Sequence, residues 1–208
     1  MIEQKLLRGN IVDGLPHAGN NMHVGTAAFI VVNPPKNWSM LPSTGGTFGP
    51  KKRVVSHNTN ANKNWRNFDF LDWLPGDISL TPLTTDVVTG PMSGCQLGTI
   101  MYNGALHAYH VGTQDGKDTA NAAVKQTFHN YCVAQGIQPT GFNPLRQWNG
   151  NYPVAKKAEG REYVYGIITT NGNFYALFTY GEANGQKNRI AGIQQIAPLA
   201  AHVAILGG

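Results

Sequence analysis

Cysteine and charge are both scarce in this chain. Only two of its 208 residues are cysteine, Cys95 and Cys132. Two thiols cannot build the disulfide framework of a small secreted scaffold, and neither lies in a spacing that marks a metal site. Charged residues make up 13% of the chain, well below the share of an ordinary globular protein, which excludes polyelectrolyte tails and charge-laced long helices. Long apolar runs are missing too. No stretch reaches the length a membrane-spanning helix needs, and the opening MIEQKLLRGNIVDG lacks the apolar centre of a signal peptide. The expectation is a protein without a transmembrane segment or N-terminal signal peptide, acting in a cytosol.

What replaces charge is Asn, Gln, Thr and Gly. Twenty-five glycines and twelve prolines predict many turns, hence short strands rather than long helices. With 41% hydrophobic residues over 208 positions, the chain can fill one core without metals or disulfides. One domain over 1–208 is expected. The net charge is +5, which suits anionic partners in general. Its only clusters are Lys51-Lys52-Arg53 and Lys156-Lys157, neither interleaved with aromatics. They read as solvated loop charge, and no nucleic-acid partner is expected.

The chemistry concentrates in Thr89 to Thr113, TGPMSGCQLGTIMYNGALHAYHVGT. Asn103-Gly104 suits the two central positions of a type I′ turn, where both residues take φ > 0. The flanks, Gln96 to Tyr102 and Ala105 to Val111, are then the strands of a hairpin. Pairing Tyr102 with Ala105 sets Ile100 opposite His107 and Leu97 opposite His110. Residues two apart share a face, so Cys95, Leu97 and His110 lie together while His107 points the other way. Cys95 and His110 form a diagonal pair roughly 7–8 Å apart at the backbone, within side-chain reach. A single bulge would select His107 instead.

An imidazole beside a thiol can take its proton and make it a nucleophile. Ser93-Gly94 is expected to let the backbone approach closely, with amides near Cys95 stabilising an oxyanion. The alternative is that Cys95 is a buried small hydrophobe and His110 an ordinary strand residue.

Thr89-x-x-Met92-Ser93-Gly94-Cys95, followed by His110-Val111-Gly112-Thr113, resembles the glutamine deamidase toxins related to cytotoxic necrotizing factor. In that family the Ser-Gly-Cys cysteine is the nucleophile and a histidine fifteen residues later is its base. Cys95 and His110 have that spacing. The Burkholderia lethal factor is similar through Thr-x-x-Leu-Ser-Gly-Cys, but its shorter spacing would select His107. A threonine six residues before the cysteine also occurs in the chemoreceptor glutamine deamidases, and Thr89 holds that place. Pro75-Gly76-Asp77-Ile78-Ser79 is similar to a Pro-Gly-x-Ile-Ser segment of the lethal factor. The resemblance implies a hydrolase without cofactor or metal, converting one glutamine of a folded host protein to glutamate, with Thr89 orienting the imidazole. It implies a GTPase or a translation factor as substrate, and a secreted or injected bacterial protein working in the host cytoplasm. The chemoreceptor branch would keep it in the bacterial cytosol. Transglutamination stays open beside deamidation. The alternatives are a papain-like Cys–His amidase or peptidase, with His202 as the distant histidine, and a non-enzymatic β-rich binding module.

Along the chain, Ile2, Leu6 and Leu7 seed a short helix, and Val24 to Val32 reads as a buried strand. Asn37 to Pro50 reads as a loop, and Lys52 to His57 as a short strand. Phe68 to Leu74 reads as a core anchor, Pro75-Gly76 as a turn, and Ile78 to Val88 as a strand. Asp118 is the expected cap of a helix over Thr119 to Gln135, ended by Gly136. That helix carries a core stripe of Ala120, Val124, Phe128, Tyr131 and Cys132, with His129 turned to solvent. Gln138 to Ala158 is an irregular loop, in which Arg146 and Trp148 are either substrate contacts or a core anchor. Glu162 to Thr170 and Phe174 to Tyr180 form a second hairpin around Asn171-Gly172. It places Tyr163, Tyr165 and Ile167 on one face and Phe174, Ala176 and Phe178 on another. Arg189 to Ile196 and Ala201 to Leu206 close the fold. The predicted class is α+β, a single domain of β-sandwich or mixed β-sheets with one main helix.

Overall fold

The computed structural model describes residues 2–6, 11–13, 25–32, 36–43, 51–56, 67–92, 94–148, 162–181 and 187–200. They form an α+β fold with two mixed sheets and, among the described residues, one α-helix. The first sheet is a closed eight-stranded barrel. Its strands are β1 (Ile11–Asp13), β3 (Lys36–Ser43), β4 (Lys51–Ser56), β5 (Asn67–Leu71), β7 (Asp86–Thr89), β11 (Glu162–Ile168), β12 (Phe174–Gly181) and β13 (Lys187–Ile196). Around the barrel the order is β1-β13-β12-β11-β7-β5-β3-β4, and β4 pairs back with β1. The second sheet has six strands: β2 (Phe29–Val31), β6 (Ile78–Pro82), β8 (Gln96–Tyr102), β9 (Ala105–Val111), β10 (Thr140–Phe142) and β14 (Leu199–Ala200). Helix α1 (Asp118–Gln135) packs on the face of this sheet away from the barrel.

Three apolar layers follow from strand alternation. Phe68, Phe70, Val88, Tyr165, Ile167 and Leu177 fill the barrel, with Ile2 and Leu6 of a 3-10 turn (Ile2–Lys5) joining them. Leu71, Val87, Leu97, Ala108, Phe142, Phe174, Ala176 and Phe178 join barrel wall to sheet. Ile78, Leu80, Ile100, Tyr109 and Val111 meet Val124, Phe128 and Cys132 of α1. The predicted two faces of the second hairpin are the inside and outside of the barrel wall. Its turn is longer than expected, however. Ile168 pairs with Phe174, so five residues intervene, and only Gly172 has a positive φ.

Several expected elements changed. Ile78 to Val88 is not one strand. It breaks after Pro82, so β6 stays in the open sheet and β7 crosses to the barrel between β5 and β11. The predicted strand over 24–32 shrinks to Phe29–Val31, an edge strand with Val31 exposed. Ahead of it, the amides of Thr26 and Ala28 are taken by the buried Asp77 carboxylate at 2.9 and 2.8 Å. Part of the expected loop at 37–50 is β3, because β4 and β5 pair with it on either side despite Pro42. Lys51-Lys52-Arg53 lies in β4 rather than in a loop. Thr140–Phe142, expected to be irregular, is recruited beside β8.

In α1, Lys117 rather than Asp118 is the cap, and no side chain caps the helix. Asp118 occupies the first turn, where its charge suits the helix dipole. Gly136 ends the helix in the left-handed region, as expected. Ala120 is exposed rather than in the core stripe, and His129 is half-buried rather than solvent-facing. Trp148 is a core anchor, its ring 4.2 Å from that of Phe178. Ser93, the expected strand over 201–206, His202 and Lys156-Lys157 lie outside the described residues.

Candidate active site

The β8–β9 hairpin forms as its turn residues dictate. Asn103 and Gly104 have φ of 48° and 78°, and Tyr102 pairs with Ala105. That register places Leu97 opposite His110 and Ile100 opposite His107. His107 lies on the helix-facing side, edge-on to Tyr102 with its Nδ1 3.0 Å from the Ala105 carbonyl. His110 faces the barrel. The two histidines are separated by the sheet itself.

The barrel supplies His110 with a partner. Thr89, the last residue of β7, lies fully buried with its Oγ1 2.7 Å from His110 Nδ1. Close packing brings the layers to this distance. Thr89 pairs with Gly166, and a Cβ at Gly166 would overlap the Leu97 side chain, the cross-strand neighbour of His110. Only a bare backbone at 166 lets the two sheets approach here. His110 Nε2 is buried and has no hydrogen-bond partner. Burial pushes the imidazole pKa down to about 3, so the ring is neutral at pH 7. For Nε2 to take up a proton, Nδ1 must carry the ring hydrogen and donate it to the Thr89 oxygen.

Cys95 immediately precedes β8 and is 3% exposed. Its thiol donates to the Thr113 carbonyl at 3.7 Å and lies 3.5 Å from Thr113 Oγ1. No hydrogen bond joins it to His110 in this conformation. Burial raises the thiol pKa, and the contacts with Thr113 and Gly94 oppose that shift. Cys95 is therefore a neutral thiol at rest.

The surroundings of the thiol are held from several segments. Trp73 Nε1 donates to the same Thr113 carbonyl at 3.2 Å. Asn121 on α1 clamps Gln114 reciprocally, accepting from its N–H at 2.8 Å and donating to its carbonyl at 2.7 Å. Asn143, just after β10, donates to the Gly94 carbonyl at 3.3 Å. Gly94 is exposed, and a Cβ there would meet nothing within 4 Å. The expected reason for a glycine, close backbone approach, does not hold at this position.

A cleft of about 320 Å³ opens onto the sulfur between Trp73, Pro91, Met92 and Thr113. Beyond Thr113 to Asp115 it adjoins a polar hollow of about 450 Å³ that includes Asp118, Lys125 and Arg146. Sequence reasoning missed Trp73, Asn121 and Asn143, because each lies far from Cys95 along the chain and belongs to no local motif. Arg146, one of the two residues read from sequence as either a substrate contact or a core anchor, lines the polar hollow.

The other thiol lines a separate cleft of about 370 Å³ between the end of α1 and Ile137 to Pro139. Cys132 packs in the sheet–helix layer and burial raises it to about 11. Asp86, an acid near the site in sequence, accepts from the amides of Ile2 and Thr170. Among the described residues, no cluster of three or more His, Cys, Asp or Glu could hold a metal. No described helix is long and apolar enough to cross a membrane.

No protein-family model and no curated protein matches this chain. Its own geometry offers a buried thiol, a neutral imidazole whose buried Nε2 is unpartnered, and a hydroxyl bonded to that imidazole.

Proposed function

We propose that this chain is a cysteine-dependent protein-glutamine deamidase. The observation that carries this reading is the Thr89–His110 bond of 2.7 Å, which holds the imidazole on the barrel-facing side of β9 and leaves its Nε2 unpartnered. In the proposed reaction the thiol leaves Thr113 as substrate enters, and its proton passes to His110 Nε2. The sulfur then attacks the glutamine carboxamide carbon, forming a C–S bond and a tetrahedral oxyanion. Collapse breaks the C–N bond, and His110 returns the proton to the leaving nitrogen, releasing ammonia. Water, deprotonated by His110, hydrolyses the thioester to glutamate and restores the thiol.

The opposite pKa shifts bear on the alternative. A papain-like pair rests as thiolate and imidazolium, whereas here burial favours the neutral form of both partners. Such an enzyme also wants its cysteine at a helix N-terminus, and Cys95 leads into a strand. By the sequence resemblance, the substrate is a folded host protein, a GTPase or a translation factor, and the enzyme acts in the host cytoplasm.

The test compares wild type with Cys95→Ser in host-cell lysate, scoring ammonia release and glutamine-to-glutamate conversion by peptide mass spectrometry. One glutamine converted by wild type alone supports the reading and names the target. No conversion, in a lysate where a known deamidase finds its own target, would overturn it and leave a binding module or a different amidase.

A further inference from the structure

We propose that Trp73 sets the substrate specificity of this site, walling the cleft over the buried Cys95 so that it admits an unbranched primary-carboxamide side chain and turns away broader groups. The inference rests on the deamidase reading and goes on to define what the cleft selects. The indole and the sulfur share one acceptor: Trp73 Nε1 lies 3.2 Å and Cys95 Sγ 3.7 Å from the Thr113 carbonyl. The position of the ring relative to the nucleophile is thus held by a single atom. That atom belongs to a segment locked in turn by the Asn121–Gln114 clamp.

Shape and polarity point to glutamine. The cleft of about 320 Å³ is lined by Trp73, Pro91 and Met92 together with Cys95, which is only 3% exposed. Two methylenes suit the apolar walls, and the carboxamide is the part that must reach the sulfur. The adjoining hollow, with Asp118, Lys125 and Arg146, is polar enough for the main chain on either side of the glutamine. A residue only 3% exposed is met more readily by a protruding loop than by the flat surface of a helix or sheet. The substrate class is therefore a loop glutamine of a folded protein.

Two alkylating probes test the wall without needing the substrate. Iodoacetamide is thin and carries a primary carboxamide, whereas N-phenylmaleimide is broad. Rates at Cys95, mapped separately from Cys132 and divided by each reagent's rate with glutathione, give a selectivity ratio. Wild type is expected to favour iodoacetamide by roughly tenfold or more, the scale of discrimination by a shaped apolar pocket. Trp73→Ala should bring the ratio close to one, and Trp73→Phe, which keeps a ring but loses the Thr113 bond that positions it, should give an intermediate ratio. If Trp73→Ala does not fold, Trp73→Leu takes its place with the same expectation. A wild-type ratio near one, an unchanged ratio in the folded Trp73 variant, or a Cys95 inert to both reagents at pH 9 would each overturn the proposal. A lysate without converted glutamine would instead sink the deamidase while leaving the ratio unmoved.

Discussion

Strand β9 carries two buried histidines three residues apart, and the sheet gives them opposite surroundings. His107 bonds to a carbonyl of its own strand and sits against Tyr102 of the neighbouring strand, so its contacts are local to the hairpin. His110 bonds to Thr89, which arrives from the barrel, and keeps its second nitrogen open. The same residue type on the same strand is thus a packed side chain on one face and, on the other, an imidazole held by a hydroxyl with one nitrogen unpartnered, the base of the proposed reaction. A histidine acquires chemistry here from the layer it faces.

The comparison breaks most sharply in activity. His110→Ala and Cys95→Ser should each lower the deamidation rate by at least about a thousandfold, the scale for losing one member of a catalytic unit. His107→Ala should stay within a few-fold of wild type. Loss of activity in His107→Ala with retention in His110→Ala would reverse the assignment.

Acid stability should separate wild type from His110→Gln. The folded pKa of about 3 lies below the ordinary value of 6.5. Between these values the unfolded chain binds a proton that the folded chain refuses. Stability therefore falls as pH drops from about 6.5 toward 3, by up to about 1.4 kcal/mol per pH unit from this group. Denaturant titrations at pH 7, 5 and 4 should show a shallower loss in His110→Gln. Equal slopes in the two proteins would mean that His110 is protonated in the fold.

Thr89→Val keeps the shape of the side chain but leaves His110 Nδ1 buried without a partner. It should cost about 1–3 kcal/mol of stability and slow deamidation, with kcat falling more than KM rises. A Thr89→Ser variant should recover most of both losses. If valine behaved like wild type, the 2.7 Å bond would have no orienting role.

The smallest effect concerns the cysteine side. Asn143→Ala removes the donor to the Gly94 carbonyl and the acceptor of the Arg146 amide, and should cost about 1–2 kcal/mol. Iodoacetamide labelling of Cys95 should rise steadily with pH through the thiol range, with no plateau near neutrality, since burial raises this thiol. A neutral plateau would signal a preformed thiolate and favour the papain-like mechanism.

Local chemistry determined a good deal from sequence alone. Asn103-Gly104 admits the positive φ of a type I′ turn, and a two-residue turn leaves one register. The pairing of Leu97 with His110, and of Ile100 with His107, is therefore legible in the residues themselves. The helix, its Gly136 stop and most of its buried stripe are legible for the same reason, because period and caps are read within a few residues. The two faces of the second hairpin follow from alternation.

Tertiary structure decided the rest. Pro82 to Thr85 gives no local sign that the chain leaves one sheet for another, yet that crossing carries Thr89 to His110. The stretch at β3, read as loop and interrupted by Pro42, becomes a strand because β4 and β5 pair with it on either side. The thiol's resting contact with Thr113, the acceptor it shares with Trp73 and the tie from Asn143 to Gly94 all join residues far apart in the chain. Side-chain periodicity states which face a residue takes. What waits on that face depends on which layers pack together, and that is settled by the burial of the whole core.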